Sequence, residues 1–284
     1  MTGRSVLPLV RERPNGFALT IDEDLCVGPR DNVFMFGGVG LAAAIAAAEQ
    51  ATGRATIWSS AQFLSYARIG DRLDLEVEVL SGGRNVSQVR VLGRSGGASI
   101  VSVNAALGDR HGFAEDQWVS PPADMPPPEA CVARSLWPQQ DDRARLMQRL
   151  DVRIAPGDER ARDGRRSPDG RQAMWMRMRN DVPVDAALLA IFADFVPSGV
   201  AAAFGLPGGG NSLDNTLRIH RLVPTPWVLC DIRIGGAARG FAHGAIYMFA
   251  ADGTLLASGS QSVILRLQSP VPEGQSAPPM TLAR

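Results

Sequence analysis

The chain predicts an α+β fold built twice over. Three observations carry it: an internal echo, an alanine-rich helix with no polar face, and runs of strict two-residue alternation. Residues 36–53 (FGGVGLAAAIAAAEQATG), followed by short strands, are echoed by residues 185–208, followed by another such run. From the strands onward the copies align at an offset of 156 residues. Gly96-Gly97 falls on Asp252-Gly253, and Ser99, Val101 and Val103 fall on Leu255, Ala257 and Gly259. Arg84 is one step out of register with Arg239. The echo breaks at two informative places, where Trp58 becomes Asp214 and Ala105 becomes Gln261. Polar groups at matched positions in one copy only are the pattern of a single working site in a duplicated scaffold.

The elements follow in order. Residues 16–20 read as a short strand. A helix begins near Gly37-Gly38, runs through the alanines of 42–48, among the strongest helix formers, and ends at Gly53. It is apolar on nearly every side until Glu49 and Gln50, so burial all round is expected. Leu73, Leu75, Val77 and Val79 alternate with Asp74, Glu76 and Glu78, a half-buried strand. Residues 86–92 and 98–107 continue it as an antiparallel meander across Gly82-Gly83 and Gly96-Gly97.

Residues 109–142, with five prolines between 121 and 128, read as a linker. The second copy resumes near 146–154, passes an arginine-rich loop at 157–171 and a strand at 172–179, and enters a helix at 185–204. Pro197 inside that helix predicts a kink or break. Strands are expected at 212–222, 227–234, 241–250 and 254–267, with Asp252-Gly253 as a hairpin turn. The expected division is an N-terminal module at 1–112, the linker at 113–145, a C-terminal module at 146–267 and a loose tail at 268–284.

Composition narrows the function classes. The 284 residues are 45% hydrophobic and 20% charged, ordinary for a globular chain. Net charge is zero, which argues against a nucleic-acid partner. All 29 basic residues are arginine, which excludes lysine-dependent phosphate loops and Schiff-base chemistry. Cys26, Cys131 and Cys230 suggest buried thiols rather than a disulfide framework or zinc knuckle. The low-charge stretch 33–48 is too short and glycine-broken to span a bilayer. The N-terminus lacks the apolar core of a secretion signal, so a cytoplasmic protein is expected.

One long apolar helix wrapped by an antiparallel sheet is a hotdog fold, and two copies make a double hotdog. In it, two long buried helices are wrapped by one continuous antiparallel β-sheet. The residues resemble the double-hotdog acyl-CoA thioesterases of the type II bacterial and peroxisomal kind. The likeness rests on Phe36-Gly37-Gly38, Phe63-Leu64 with Gly70-Asp71, and Ser212-Leu213-Asp214 leading to His220. It continues with Ala238-Arg239-Gly240-Phe241 before Gly244, then Asp252-Gly253, Leu256-Ala257-Ser258, Gln261 and Arg266. The resemblance implies hydrolysis of an acyl-CoA, coenzyme A entering as part of the substrate, with no separate cofactor or metal. It also implies a catalytic aspartate, threonine and glutamine holding a water. It puts the aspartate at Asp214 and the glutamine at Gln261. The threonine is expected in the strand after Trp227, but residues 228–236 (VLCDIRIGG) contain no hydroxyl. That gap supports an alternative, an acyl-CoA-binding protein weakened in catalysis.

Residue chemistry gives parallel readings. In 212–220, Leu213, Leu217 and Ile219 share one face, so Asp214 lies on the other with Thr216, Arg218 and His220. It is a candidate base, or simply a carboxylate paired with Arg218. Gln261 interrupts the apolar face of 254–267, and a buried amide needs partners. The helix-start amides of Gly37, Gly38 and Val39 are candidate oxyanion donors, unless the glycines serve only close packing. Arg84 and Arg239 suit coenzyme A phosphates, or are solvated loop charges. The G-x-G-x-x-A at 38–43 matches a dinucleotide fingerprint. No acidic residue follows at the ribose position, and antiparallel alternation continues instead, so that reading fails. A hotdog hydratase is disfavoured because no suitably spaced Asp/His pair is found. A homodimer is expected.

Overall fold

The computed structural model describes residues 6–29, 32–135, 145–158 and 164–268. Residues 269–284 of the tail expected at 268–284, and parts of the expected linker and arginine-rich loop, lie outside the described residues. The first half runs β1 (Val10–Arg13), β2 (Gly16–Thr20), β3 (Cys26–Val27), β4 (Phe34–Met35), α1 (Gly37–Thr52), β5 (Thr56–Phe63), β6 (Arg72–Gly82), β7 (Val86–Ser95) and β8 (Ala98–Gly108). The second runs β9 (Val132–Ala133), β10 (Leu150–Ile154), β11 (Arg171–Met178), α2 (Ala186–Ala193), α3 (Val196–Phe204), β12 (Gly208–Ser212), β13 (Asp214–Ile219), β14 (Val228–Ala238), β15 (Phe241–Ala250) and β16 (Leu255–Leu267).

Apart from the β3–β4 pair, every strand joins one antiparallel sheet. Its order is β1-β2-β6-β7-β8-β5-β13-β16-β15-β14-β11-β10-β9, with β12 also on β16. The order reads nearly the same from either end, and the halves meet edge to edge at β5 and β13. In that seam Asp214 opposes Gln62, Arg218 opposes Trp58, and Thr216 opposes Ser60. Ser60 and Thr216 are themselves one repeat apart, so a pseudo-two-fold axis passes through their pairing.

The helices pack against the sheet, and α1 also packs against α2. α1 is buried along most of its length and ends at Gly53, whose φ of +66° closes the last turn. The second helix, expected over 185–204, is broken where Pro197 predicts a kink or break. Pro197 has no N–H to offer the carbonyl of Ala193, so α2 stops there and the chain restarts as α3. Within the first turn of α3 the missing donor costs nothing. Asp185 caps α2 by accepting from the Leu188 amide at 2.8 Å. The 186–204 segment is apolar and long enough to cross a membrane by composition, but 72% of its most apolar window is buried inside the protein. Packing against the sheet and α1 accounts for that hydropathy.

The proline-rich segment after β8 does more than connect. Val119, Met125 and Cys131 cover a second apolar cluster of Trp175, Trp227, Leu229, Phe249 and Leu255 on the outer face of the sheet. The Trp175 indole donates to Pro126 O at 2.8 Å, and Arg153 donates to Pro128 O at 3.0 Å. Gln117 accepts from the Leu255 amide and donates to Gly253 O. The segment is a strap. Trp175→Phe, which deletes one strap bond and keeps most of the ring, should cost about 1 kcal/mol in chemical denaturation. It should also speed limited proteolysis between residues 113 and 131 relative to the rest of the chain.

Candidate active site

The break between α2 and α3 leaves Asp194 at the end of α2, the sole charged residue in an otherwise apolar run of helix. Its carboxylate is buried, and both oxygens accept hydrogen bonds. Oδ2 accepts from the Gly38 amide at 2.7 Å, and Oδ1 accepts from Ser212 Oγ at 2.8 Å and from Gln261 Nε2. Gln261 Nε2 also reaches Ser212 Oγ at 2.8 Å. Three sheet and helix elements therefore converge on one carboxylate.

Local structure explains each position. On β16, Ala257, Gly259, Gln261 and Val263 are all buried, and Ala257 and Val263 join the core that holds the helices, so Gln261 points from the sheet toward the helices. Ser212 is the last residue of β12, which pairs with the same strand. Gly37 and Gly38 let the start of α1 touch the end of α2. A Cβ at Gly38 would lie 2.9 Å from Ile191 Cα, and one at Gly37 would lie 2.7 Å from Asp194 Oδ2. The positive end of the α1 dipole thus abuts the carboxylate.

Burial pushes the Asp194 carboxyl up to about 6, against the lowering effect of Ser212, Gln261, Gly38 and Asn215, all neutral. Without those neighbours the group would rise further. With them it is an anion near pH 7 and a stronger base than a solvated aspartate.

The expected site residues separate. Gln261 and Gly38 join the cluster. Asp214 does not: its Oδ1 accepts from the Ser262 amide at 2.7 Å. Alternation along β13 buries Asn215 and Leu217, so Asp214 faces the opposite side of the sheet from Gln261. The amide of Gly38 is spent on Asp194 and that of Val39 on Phe36 O at 3.0 Å, so neither is free for an oxyanion. Gly37, first in the helix, has no acceptor for its amide among the described residues. Arg84 and Arg239 are exposed on the β6–β7 and β14–β15 turns, in opposite halves of the sheet. Asp194, Ser212 and Asn215 were missed. The available signal for Asp194 was a lone carboxylate beside a proline inside an apolar helix. The missing hydroxyl is not in β14; Ser212 supplies one.

The repeat shows why there is one cluster. At the offset of 156, Gly38 corresponds to Asp194, Thr56 to Ser212, Ser59 to Asn215 and Ala105 to Gln261. The first half keeps the hydroxyls and lacks the carboxylate and amide. Thr56 Oγ1 and Ser59 Oγ are buried with no hydrogen-bond partner. Among the described residues no three His, Cys, Asp or Glu side chains converge as a metal site.

Residues 28–108 match the family model for the acyl-CoA thioesterase N-terminal domain, and residues 122–265 match that for the acyl-CoA thioesterase C-terminal domain. The chain belongs to the acyl-CoA thioesterase family. It is 40% identical to a candidate thioesterase from Novosphingobium aromaticivorans, covering 91% of this chain and 98% of that one, with a TM-score of 0.84. It shares its fold with acyl-CoA thioesterase II of Mycobacterium marinum, at 21% identity, 94% and 97% coverage and a TM-score of 0.71. A hot dog fold protein from Alicyclobacillus acidocaldarius gives 21% identity, 93% and 96% coverage and 0.76. No curated protein matches the chain. The fold is therefore of the hotdog type and the protein is a thioester hydrolase.

The raised carboxyl of this thioesterase has a consequence for stability. Between the unfolded value of 3.8 and the folded value of about 6, the native state binds more protons than the unfolded state. Stability contributed by this group therefore falls as pH rises through that window and is level above it. Denaturation at pH 4, 5, 6 and 7 should show that the stability of the parent relative to Asp194→Asn declines from pH 4 to 6 and then stays constant.

Proposed function

We propose that the enzyme is a double hotdog that hydrolyses acyl-CoA thioesters with Asp194 as general base. The observation that supports this most is the buried carboxylate, ionised near neutral pH and held by neutral donors only. A water beside Asp194 gives up a proton to the carboxylate while its oxygen attacks the thioester carbonyl carbon. The unpaired amide of Gly37, at the positive end of α1, is the donor for the developing oxyanion. Collapse of the tetrahedral intermediate breaks the C–S bond, and the departing thiolate takes back the proton from Asp194. Ser212 and Gln261 keep the carboxylate oriented and anionic, filling the roles that the family resemblance gave to a threonine and a glutamine.

The binding-only alternative rested on the lack of a hydroxyl in 228–236. Ser212 weighs against it, since its Oγ touches both the carboxylate and the amide. Thiol release from octanoyl-CoA, followed against pH, tests the proposal. The acid limb of kcat/KM should have its midpoint near the folded value of about 6 and fall about tenfold per pH unit below it. Ser212→Ala and Gln261→Ala should each lower kcat by about 10- to 100-fold. Hydrolysis independent of pH from 5 to 8 would contradict a base of this kind.

A further inference from the structure

Asn215 is unexplained by anything above. It sits on β13, wholly buried, on the face that looks toward the helices. Since Thr216 opposes Ser260 on β16, the antiparallel register sets Asn215 opposite Gln261. Its amide is close enough to stabilise the Asp194 carboxylate. Yet among the described residues neither its Nδ2 nor its Oδ1 makes a hydrogen bond, and Gln261 Oε1 is also without a partner there. Buried amides left empty at both ends are costly and rare. Here three such atoms belong to the cluster around one carboxylate, where the matching positions of the first half are Gly38, Ser59 and Ala105. The related position in the first half, Ser59, has neither carboxylate nor amide beside it.

A polar recess with donors and acceptors left open is what a small polar guest requires. Asn215 brings both kinds of group, and Gln261 Oε1 adds a second acceptor. A water held by these atoms beside Asp194 donates one hydrogen to the carboxylate and the other to an amide oxygen. Its lone pair is then left for the carbonyl carbon. We propose that Asn215, with Gln261, holds the water that attacks the thioester, making it a further catalytic residue of this site. The assignment rests on the reading of Asp194 as the base. In the hydrolytic step Asn215 exchanges no proton; it fixes the water's direction while Asp194 takes the proton.

The test is Asn215→Leu, branched at the same atom and without polar atoms, with Asn215→Ser as a smaller variant that keeps a hydrogen-bonding group. With octanoyl-CoA as the probe, Asn215→Leu should lower kcat by at least about tenfold with little change in KM. Its acid limb should also move above that of the parent, since a neutral polar group that lowers the Asp194 carboxyl is lost. Its melting temperature should equal or exceed the parent's, because an unpartnered buried amide has been removed. Asn215→Ser should recover part of the lost kcat. A lower melting temperature with unchanged kcat and unchanged acid limb would make Asn215 a structural residue and overturn the proposal. That result is separable from failure of the Asp194 reading, which would appear in the parent itself as the absence of an acid limb.

Discussion

The contact on which the site depends is the hydrogen bond from the Gly38 amide to the Asp194 carboxylate. It joins the start of one helix to the end of another across the pseudo-two-fold axis of the duplicated sheet. Two local features make it possible. Pro197 ends α2 early enough to free Asp194 from a helical turn, and the glycines of α1 remove the side chains that would hold the helices apart. The β5–β13 seam then fixes both halves relative to each other, so β16 and β12 deliver Gln261 and Ser212 to the same carboxylate.

That geometry explains the asymmetry of the duplication. Gly38 and Asp194 occupy matching positions in the repeat, and they touch. A side chain at Gly38 would meet the backbone of Ile191 and the Cβ of Asp194. A second carboxylate there would also stand against the first in a dry interior, where like charges are most costly. One site per chain is therefore a consequence of placing the site at the axis. The orphaned hydroxyls of Thr56 and Ser59 mark where the unused half lies.

Much of the fold was legible because it rests on local signals. The alternation of residues 73–79 and 254–267, the alanine-rich helix, the Asp252-Gly253 turn and the break at Pro197 all follow from short-range chemistry. The strap was read as a linker because proline content reports the lack of regular structure and is silent on packing. Its contacts with Trp175 and Leu255 depend on distant chain. In the site, Gln261 stood out as an amide interrupting an apolar strand face. Asp214 drew attention by matching a motif, yet its polar strand face already set it against the face that carries Gln261. Asp194 was hidden in a helix read for its hydrophobicity, where the single charge was the informative residue.

The central claim is that the base lies at the helix break and not on the neighbouring strand. Thiol release by Asp194→Asn and Asp214→Asn, measured side by side under saturating octanoyl-CoA, addresses it most directly. The account predicts that Asp194→Asn loses at least about a hundredfold in kcat, whereas Asp214→Asn stays within a few-fold of the parent. Loss of hydrolysis in Asp214→Asn with activity retained in Asp194→Asn would contradict it.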